Sequence, residues 1–317
     1  MKTLLITRPL PEIVVSELTD LFDVTVRPST DPLDDSELRA ALMDYDAVLP
    51  TLRDMFSREV FEAVPNARCK VLANFGVGYN HIDTEAAAEA GIVVSNTPGA
   101  VTDATADTAM TLMLMSARRA AEGERLVRAG AWDGWHPTQM LGLHLTGKTV
   151  GIVGMGRIGQ AIARRCHFGF GMDVQYIARS DKSLDFPAER AADLLALAGA
   201  VDFLVVAVPG GAETLHLING NVLAAMKPTA HLINIARGEV VEEAALIAAL
   251  QSGSIAGAGL DVYEFEPKVP QALIDMEHVT LLPHLGTATE EVRSDMGNMA
   301  LDNVAAFVAG GELPNRV

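Results

Sequence analysis

The sequence predicts an α/β protein with two doubly wound parallel sheets, and two features of the chain support this prediction. Short β-branched or apolar runs alternate with helical patterns along most of the 317 residues, which is the signature of βαβ units. In the second half of the chain the predicted strands are almost continuously apolar, as strands buried on both faces of a parallel sheet should be. We therefore expect two domains, each with helices on both faces of its sheet.

The predicted strands fall into two series. The first series comprises residues 3–7, 23–27, 46–50, 70–74 and 92–95. The second series begins at Thr149 and continues through residues 174–178, 203–208, 231–235, 256–262 and 279–282. A final helical pattern over 289–310 is expected to return to the first domain. One domain then consists of residues 1–98 and 287–317, the other of residues 99–286, and the cleft between them is the expected ligand site.

Composition and charge exclude several classes of protein. A chain of 317 residues with 49% hydrophobic residues can bury two cores. The 41 acidic residues against 24 basic ones give a formal charge of −17, which argues against nucleic acid and anionic membranes as partners. Cys69 and Cys166 lie far apart and outside any CxxC pattern, so we expect reduced thiols in a cytoplasmic protein and no metal site. Residues 1–9 hold too short an apolar run for a signal peptide, and no membrane-spanning segment is expected.

The segment 149–159 is an apolar strand that turns on glycines directly into an amphipathic helix. Gly154 allows the tight turn, Gly156 lets the backbone approach a pyrophosphate, and Gly159 lets the helix pack against the sheet. The free N–H groups and the positive dipole end of that helix would face the phosphates. This context favours a dinucleotide-binding Rossmann domain over 99–286 rather than a glycine-rich turn without a ligand.

The end of the next predicted strand bears on the choice of dinucleotide. A site that prefers NAD usually carries Asp or Glu there, whereas this chain has Arg179 and Ser180. A guanidinium and a hydroxyl can bind a 2′-phosphate by charge-assisted hydrogen bonds, so NADP(H) is the favoured cofactor and NAD(H) the second choice. The alternative is an exposed Arg179 stacked on the adenine, and the nearby Asp181 weakens the distinction.

Three ionisable residues follow the ends of late strands. Arg237 follows the strand over 231–235, Glu266 lies in the loop after the next strand, and His284 follows the last one. Taken singly, such an arginine is usually a surface charge and such a histidine usually a structural residue. Because ligands bind at the carboxyl ends of strands in an open α/β sheet, we expect all three to converge beside the dinucleotide.

The motifs together resemble the D-isomer-specific 2-hydroxyacid dehydrogenase family, and within it most closely the glyoxylate and hydroxypyruvate reductases. The resemblance covers nearly the whole chain and rests on several motifs in the family's order: residues 74–83, 154–159, 233–238, 257–263 and 283–286. It implies a flavodoxin-like substrate domain beside the Rossmann domain, a homodimer, and NAD(P)-dependent reduction of a small 2-oxo acid to the D-2-hydroxy acid. The family's arginine, glutamate and histidine fall on Arg237, Glu266 and His284.

This chemistry explains the residue types. Hydride delivery to a carbonyl carbon needs an acid that titrates near neutrality to protonate the oxygen, and His284 is expected to be that acid. Glu266 would favour the imidazolium and fix its orientation. Arg237 would bind the substrate carboxylate or polarise the carbonyl through its planar fork.

The resemblance also implies further cofactor and substrate contacts. Asp261 would hold the nicotinamide carboxamide, and Thr105 and Arg157 would touch the phosphates. The family's carboxylate-binding backbone loop falls on Val77 and Gly78. Other contacts to the dinucleotide are expected at Ile158, Val208, Pro209, Thr214, Ile235 and Gly286, and the substrate rim is expected at Leu52 and Arg53.

Two segments depart from the family pattern. Gly210 and Gly211 stand where a bulkier pair is common, which would loosen the loop below the cofactor. Asn80 and His81 replace a more frequent acidic and polar pair, but the residues after them keep the register, so the carboxylate loop is expected to be intact.

The helix predicted over 104–118 is apolar on almost every side, so it must be covered on more than one face. A domain junction or a dimer interface would supply that cover, and burial within one subunit is the alternative. Trp135 and His136 are expected to reach toward the cleft or a neighbouring subunit.

Three functions remain open from the sequence. The first is an NADPH-dependent reductase of glyoxylate, hydroxypyruvate or a similar small 2-oxo acid. The second keeps the fold but acts on a phosphorylated or bulkier 2-oxo acid, which the segment around Leu52 and Arg53 does not exclude. The third is a cofactor-sensing scaffold like the family's corepressors, and the lack of a disordered extension argues against it.

Overall fold

The computed structural model describes all 317 residues, Met1–Val317, and its elements alternate between strands and helices. In chain order the strands are β1 (Lys2–Ile6), β2 (Phe22–Val26), β3 (Ala47–Leu49), β4 (Val71–Ala73), β5 (Val93–Ser95), β6 (Thr149–Val153), β7 (Asp173–Ile177), β8 (Glu189–Arg190), β9 (Phe203–Val206), β10 (His231–Asn234), β11 (Gly257–Leu260) and β12 (Val279–Leu281). The α-helices are α1 (Glu12–Thr19), α2 (Asp35–Asp44), α3 (Arg58–Glu62), α4 (Thr84–Glu89), α5 (Thr102–Ala117), α6 (Ala120–Arg128), α7 (Arg157–Arg164), α8 (Leu194–Ala200), α9 (Gly220–Ala225), α10 (Glu243–Gln251), α11 (Gln271–Ile274) and α12 (Glu290–Val308). One π-helical turn, Arg165–Gly169, extends α7, and a short 3₁₀ turn occupies Gly238–Val240.

The first unit consists of Met1–Val101 and Ala288–Val317. Its five strands are all parallel and lie in the order β2-β1-β3-β4-β5, which is the doubly wound order of flavodoxin-like folds. The C-terminal helix α12 packs on α1 in this unit, and Gly297 makes the approach close, because a Cβ there would lie 2.2 Å from a Val14 methyl carbon.

The second unit, Thr102–Thr287, contains a seven-stranded parallel sheet in the order β12-β11-β10-β9-β6-β7-β8. The chain reverses its direction of winding at β6, which pairs with β7 on one side and β9 on the other. In doubly wound sheets this reversal opens a crevice at the carboxyl end of the strand, which is where ligands bind.

The predicted fold class, two doubly wound parallel-sheet domains, is confirmed. The central strands of the second sheet, β6, β9, β10 and β11, are buried on both faces, and every residue of β9 is fully buried. One short edge strand, β8, was not predicted, because its two residues are exposed and carry no apolar signal. Which ligand each unit binds stays a prediction.

Helix α5 is covered largely by its own unit. It packs on α7 and on β10, β11 and β12, and the Leu112 side chain lies against Gly259 of β11. The solvent-exposed edge of α5 carries Asp103 and Asp107, which pair with Arg165 at 2.9 and 2.7 Å, and also Leu114, which is 36% exposed. Burial within one subunit therefore accounts for most of the apolar surface of this helix.

None of the helices combines the length and the apolar character needed to cross a bilayer.

Candidate active site

Three neighbouring strands of the second sheet deliver the ionisable side chains to one edge. Strands β10, β11 and β12 pair in that order and end at Asn234, Leu260 and Leu281. Arg237, Glu266 and His284 lie in the segments that follow these strands. The parallel pairing of these strands therefore brings to one edge residues that are up to 47 positions apart in the chain.

The imidazole of His284 is oriented by a carboxylate. Its Nδ1 lies 3.0 Å from Oε2 of Glu266, and the other carboxylate oxygen accepts a hydrogen bond from the Tyr263 backbone N–H at 3.1 Å. An ionised carboxylate only accepts, so Nδ1 must be the donor and Nε2 is left as the ring nitrogen available to a substrate. An imidazole held in this way can exchange a proton through Nε2.

The environment of Glu266 keeps this carboxyl group ionised. Burial opposes ionisation and would raise its pKa. The hydrogen bond and charge of His284, the Tyr263 N–H and the Arg237 guanidinium outweigh burial, so the pKa lies below the ordinary glutamate value. A negative charge therefore faces the His284 ring at neutral pH.

The loop that carries His284 is held by Asp261. His284 has a left-handed backbone with φ +55°, and its N–H donates to the Asp261 carbonyl at 2.9 Å. The Asp261 carboxylate accepts from the N–H groups of Leu285 at 2.6 Å and Gly286 at 2.8 Å. These three bonds fix an unfavourable conformation for a residue with a side chain, of the kind found at functional sites.

Asp261 therefore has a structural task that the sequence did not reveal. It is 1% exposed, and burial raises its pKa although the two N–H groups favour the charged form. Each of its oxygens already accepts a backbone N–H, and the contact to a nicotinamide carboxamide stays a prediction.

Arg237 offers unused hydrogen-bond donors. Its Nη1 donates to the Ala236 carbonyl at 2.7 Å, and its buried Nε has no partner. Burial lowers the pKa of the guanidinium, while the charges of Glu239 and Glu266 oppose the shift. A half-buried cation with free donors is suited to bind an anionic group.

The two-glycine departure is explained by this arginine. A Cβ on Gly210 would lie 2.8 Å from Cγ of Arg237 and 2.7 Å from Oε1 of Glu239. The segment around Gly210 thus packs closely against the Arg237 side chain, whereas the sequence suggested a loosened loop.

The glycine turn has the geometry that the motif predicts. Gly154 has φ +100°, and a Cβ there would lie 2.7 Å from the Ala207 carbonyl oxygen. A Cβ on Gly159 would lie 2.1 Å from the Gly154 carbonyl oxygen, so only glycine lets α7 pack here. Gly156, which precedes the first residue of α7, faces open space with nothing within 4 Å of its Cβ position.

A cavity of about 710 Å³ opens at the carboxyl end of β6, next to this turn. Seven of the predicted dinucleotide contacts line it: Gly154, Gly156, Arg179, Ser180, Val208, Pro209 and Thr214. The other predicted contacts lie outside this lining: Thr105, Arg157, Ile158, Gly159, Ile235, Asp261 and Gly286. Of these, Arg157 is exposed at the start of α7, and the Thr105 hydroxyl donates to the Gly286 carbonyl at 3.2 Å, beside the His284 loop.

The rim of the cavity near β7 carries two charged residues that were not predicted from the sequence, Glu213 and Lys182. Nη1 of Arg179 lies 3.4 Å from Oε2 of Glu213, and both side chains are about nine-tenths exposed (91% and 86%). The Lys182 ammonium donates to the Ser180 hydroxyl at 3.0 Å. Glu213 lies 34 residues after Arg179, so no local pattern announced this pair.

In the first unit, the segment of Leu52 and Arg53 is anchored by a buried acid. Asp54 is fully buried, forms an ion pair with Arg8 at 3.1 Å, and accepts from the Thr7 hydroxyl at 2.6 Å. Arg53 itself adopts a left-handed backbone with φ +80°. No local sequence pattern indicates this network, because Arg8 and Asp54 follow the ends of different strands.

The loop of Val77 and Gly78 is held by side-chain amides. Asn74 donates to the Gly78 carbonyl at 3.0 Å, and Asn96 donates to the Val77 carbonyl at 2.8 Å. The Nε2 of buried His81 lies 3.1 Å from the Asn74 amide oxygen, so the unusual His81 supports the loop. The substrate contacts at Leu52, Arg53, Val77 and Gly78 stay predictions.

The remaining candidates play no part in these arrangements. Trp135 is 80% exposed, and a role for Trp135 or His136 at the cleft or at a neighbouring subunit stays a prediction. Cys69 and Cys166 are free and buried, and burial raises the pKa of each thiol to about 12. No cluster of three or more His, Cys, Asp or Glu residues is arranged to hold a metal ion.

Comparison with known proteins agrees with this geometry. The family model described as D-isomer specific 2-hydroxyacid dehydrogenase, NAD binding domain, matches residues 110–286. The glyoxylate reductase of Pyrococcus furiosus is 44% identical over 98% of this chain and 93% of its own length. The glyoxylate reductase of Thermococcus kodakarensis is 45% identical with the same coverage of both chains.

A solved structure from Sinorhizobium meliloti is also similar. It is an NADPH-dependent glyoxylate/hydroxypyruvate reductase in complex with NADP and malonate, with a TM-score of 0.89 and 38% identity over 100% of this chain and 96% of its own. The matched domain, the near full-length relatives and the shared fold lead to one conclusion. The chain belongs to the D-isomer-specific 2-hydroxyacid dehydrogenase family.

Proposed function

We propose that this protein is an NADPH-preferring reductase that converts glyoxylate, hydroxypyruvate or a similar small 2-oxo acid to the D-2-hydroxy acid. The observation that carries the proposal is the hydrogen bond of 3.0 Å between Glu266 and His284, near the half-buried Arg237. The similarity to glyoxylate reductases at 44% and 45% identity supports the substrate class.

His284 is the general acid of the proposed reaction. A bound nicotinamide supplies the hydride that adds to the carbonyl carbon. The proton on Nε2 of His284 passes to the carbonyl oxygen, which becomes the hydroxyl of the product. Glu266 stabilises the imidazolium before this transfer. Because Glu266 holds Nδ1, Nε2 on the other side of the ring is left available to the substrate.

Arg237 binds the anionic substrate. Its free donors can bind a carboxylate bidentately or polarise the carbonyl oxygen as negative charge develops there. The local positive charge also offsets the field of a chain with formal charge −17, which would otherwise repel an anionic acid.

The residues of the cavity fit a dinucleotide. Gly156 leaves open space at the N-terminus of α7, where phosphates are favoured by free N–H groups and the helix dipole. Arg179, Ser180 and Lys182 supply donors for a 2′-phosphate, and the single carboxylate of Glu213 opposes them only in part. The NADP complex of the similar reductase supports the same preference.

Turnover with a substrate panel tests the proposal directly. NADPH and NADH oxidation would be measured with glyoxylate, hydroxypyruvate, pyruvate, phenylpyruvate and 2-oxoisocaproate. We expect the highest kcat/KM for glyoxylate or hydroxypyruvate with NADPH, and a loss of about 10² to 10⁴ in kcat for His284→Asn.

The panel also separates the alternatives. Preference for a bulky or phosphorylated 2-oxo acid would replace the substrate class but keep the chemistry. Absence of turnover with every acid, including a phosphorylated one added as a sixth member, would favour the cofactor-sensing scaffold.

Gly156→Ala is expected to weaken dinucleotide binding without destabilising the fold. The added methyl group meets no protein atom within 4 Å but occupies the space that a pyrophosphate needs. The Kd for NADPH, measured by fluorescence titration, should rise about tenfold or more. Gly169→Ala is the matched control, because its Cβ position is also open but lies outside the cavity lining. Equal Kd values for the two variants would contradict the phosphate site.

Arg179→Asp and Glu213→Gln should change the cofactor preference in opposite directions. Loss of the guanidinium should lower the ratio of kcat/KM for NADPH to that for NADH by roughly 10- to 100-fold. Loss of the Glu213 charge should raise the same ratio by roughly two- to fivefold, because this pair is exposed and screened. An unchanged ratio in Arg179→Asp would remove the proposed 2′-phosphate site.

A further inference from the structure

A second contact between a carboxylate and an imidazole joins two loops at the same edge of the seven-stranded sheet. Nε2 of His216 lies 2.8 Å from Oε1 of Glu264. His216 lies in the segment after β9, between Thr214 and Leu217, which line the dinucleotide cavity. Glu264 lies in the segment after β11, two residues before Glu266. The contact therefore joins a wall of the cavity to the loop that orients His284.

Glu264 is fixed from a third segment as well. Its Oε2 accepts from the Glu243 N–H at 3.2 Å, and its own N–H donates to Oε2 of Glu243 at 3.3 Å. The backbone after Arg237 also packs on this loop, since a Cβ on Gly238 would lie 1.9 Å from the Tyr263 carbonyl oxygen. Tyr263 and Glu264, which precede Glu266 in this loop, are thus held from the side of α10. His216 connects Glu264 to the wall of the cavity.

The backbone of His216 suggests that its side chain is retained for a task. It has φ +50°, a left-handed conformation that glycine or asparagine adopts at lower cost. Its N–H donates to the Glu239 carbonyl at 2.8 Å, so this conformation is held in place. The imidazole is 40% exposed and its hydrogen bond goes to Glu264, which is 15% exposed. His216 thus keeps an unfavourable backbone conformation at a position from which its side chain reaches Glu264 in the neighbouring loop.

We infer that His216 is a positioning residue that couples occupancy of the dinucleotide cavity to the loop that holds Glu266. A dinucleotide in the cavity restricts the wall formed by Thr214 and Leu217. The bond from His216 to Glu264 then restricts the segment 261–266, and Glu266 holds the His284 ring in its reactive orientation. The catalytic consequence rests on the proposed function, whereas the coupling between the two loops does not.

His216→Gly separates this role from a merely structural one. Glycine suits the left-handed backbone and removes only the connection to Glu264. Hydrogen exchange of the full-length protein would be followed by mass spectrometry with and without saturating NADP⁺. In the parent, NADP⁺ should slow exchange in both 151–157 and 261–266. In His216→Gly the slowing should persist in 151–157 and be lost in 261–266.

Turnover provides the second readout. In His216→Gly, kcat should fall about 3- to 30-fold while the KM for NADPH changes by less than about threefold. Added imidazole should restore part of the lost kcat, because the deleted side chain was partly exposed. Glu242→Ala is the matched control: it removes the carboxylate that accepts from the Gly220 N–H, a contact that does not involve the 261–266 segment, and it should leave both readouts at parent values.

Three outcomes would overturn the inference. The first is that NADP⁺ slows hydrogen exchange of 261–266 in His216→Gly as much as in the parent. The second is that NADP⁺ does not slow exchange of this segment in the parent. The third is that the fall in kcat is accompanied by a lower melting temperature and is not reversed by imidazole. If the parent reduces no 2-oxo acid, the proposed function fails, and the exchange experiment still decides whether His216 couples the two loops.

Discussion

The hydrogen bond between Glu266 and His284 is the interaction on which the proposed chemistry depends. The Nε2 atom of His284 can deliver a proton to a substrate in a fixed position only if the ring cannot rotate. The Glu266 carboxylate prevents rotation because it binds Nδ1 at 3.0 Å. This bond depends in turn on Asp261, whose two oxygens fix the backbone after His284, and on the Tyr263 N–H, which fixes the second oxygen of Glu266. The reactive orientation is therefore built mainly from backbone hydrogen bonds to buried or half-buried carboxylates, which resist rearrangement because breaking them would leave charges unpaired.

Much of the fold could be predicted because strands that are buried on both faces of a parallel sheet have recognisably apolar sequences. The central strands of the second unit, β6, β9, β10 and β11, are apolar runs because both of their faces are covered, and the glycine turn is recognisable because Gly154 and Gly159 tolerate no Cβ. The positions of Arg237, Glu266 and His284 followed from one rule, that the carboxyl ends of parallel strands share an edge. β8 escaped prediction because an exposed two-residue edge strand has no hydrophobic pattern.

The features that could not be predicted are contacts between loops. Glu213 beside Arg179, His216 beside Glu264 and Arg8 beside Asp54 each join segments that are more than 30 residues apart, and no periodicity links such pairs. The role of Asp261 was assigned from family resemblance, whereas its main visible contacts are two backbone N–H groups of the His284 loop. Gly210 was interpreted as a source of looseness, and its actual reason is the bulk of Arg237 and Glu239 packed against it. The local sequence limits the backbone conformations of a loop. The residues that a loop contacts in other loops depend on how the strands are arranged in the sheet, which the local sequence does not determine.

The pH dependence of Glu266→Gln tests the central claim most directly. The substitution keeps the size of the side chain but removes the negative charge that faces the His284 ring, so the protonated imidazole loses its stabilisation. We predict that the pH at which kcat/KM for 2-oxo acid reduction falls to half its maximum moves to lower pH by about one unit or more, with an unchanged melting temperature. A profile that superimposes on that of the parent would show that Glu266 does not support the acid, and the account of this site would be wrong.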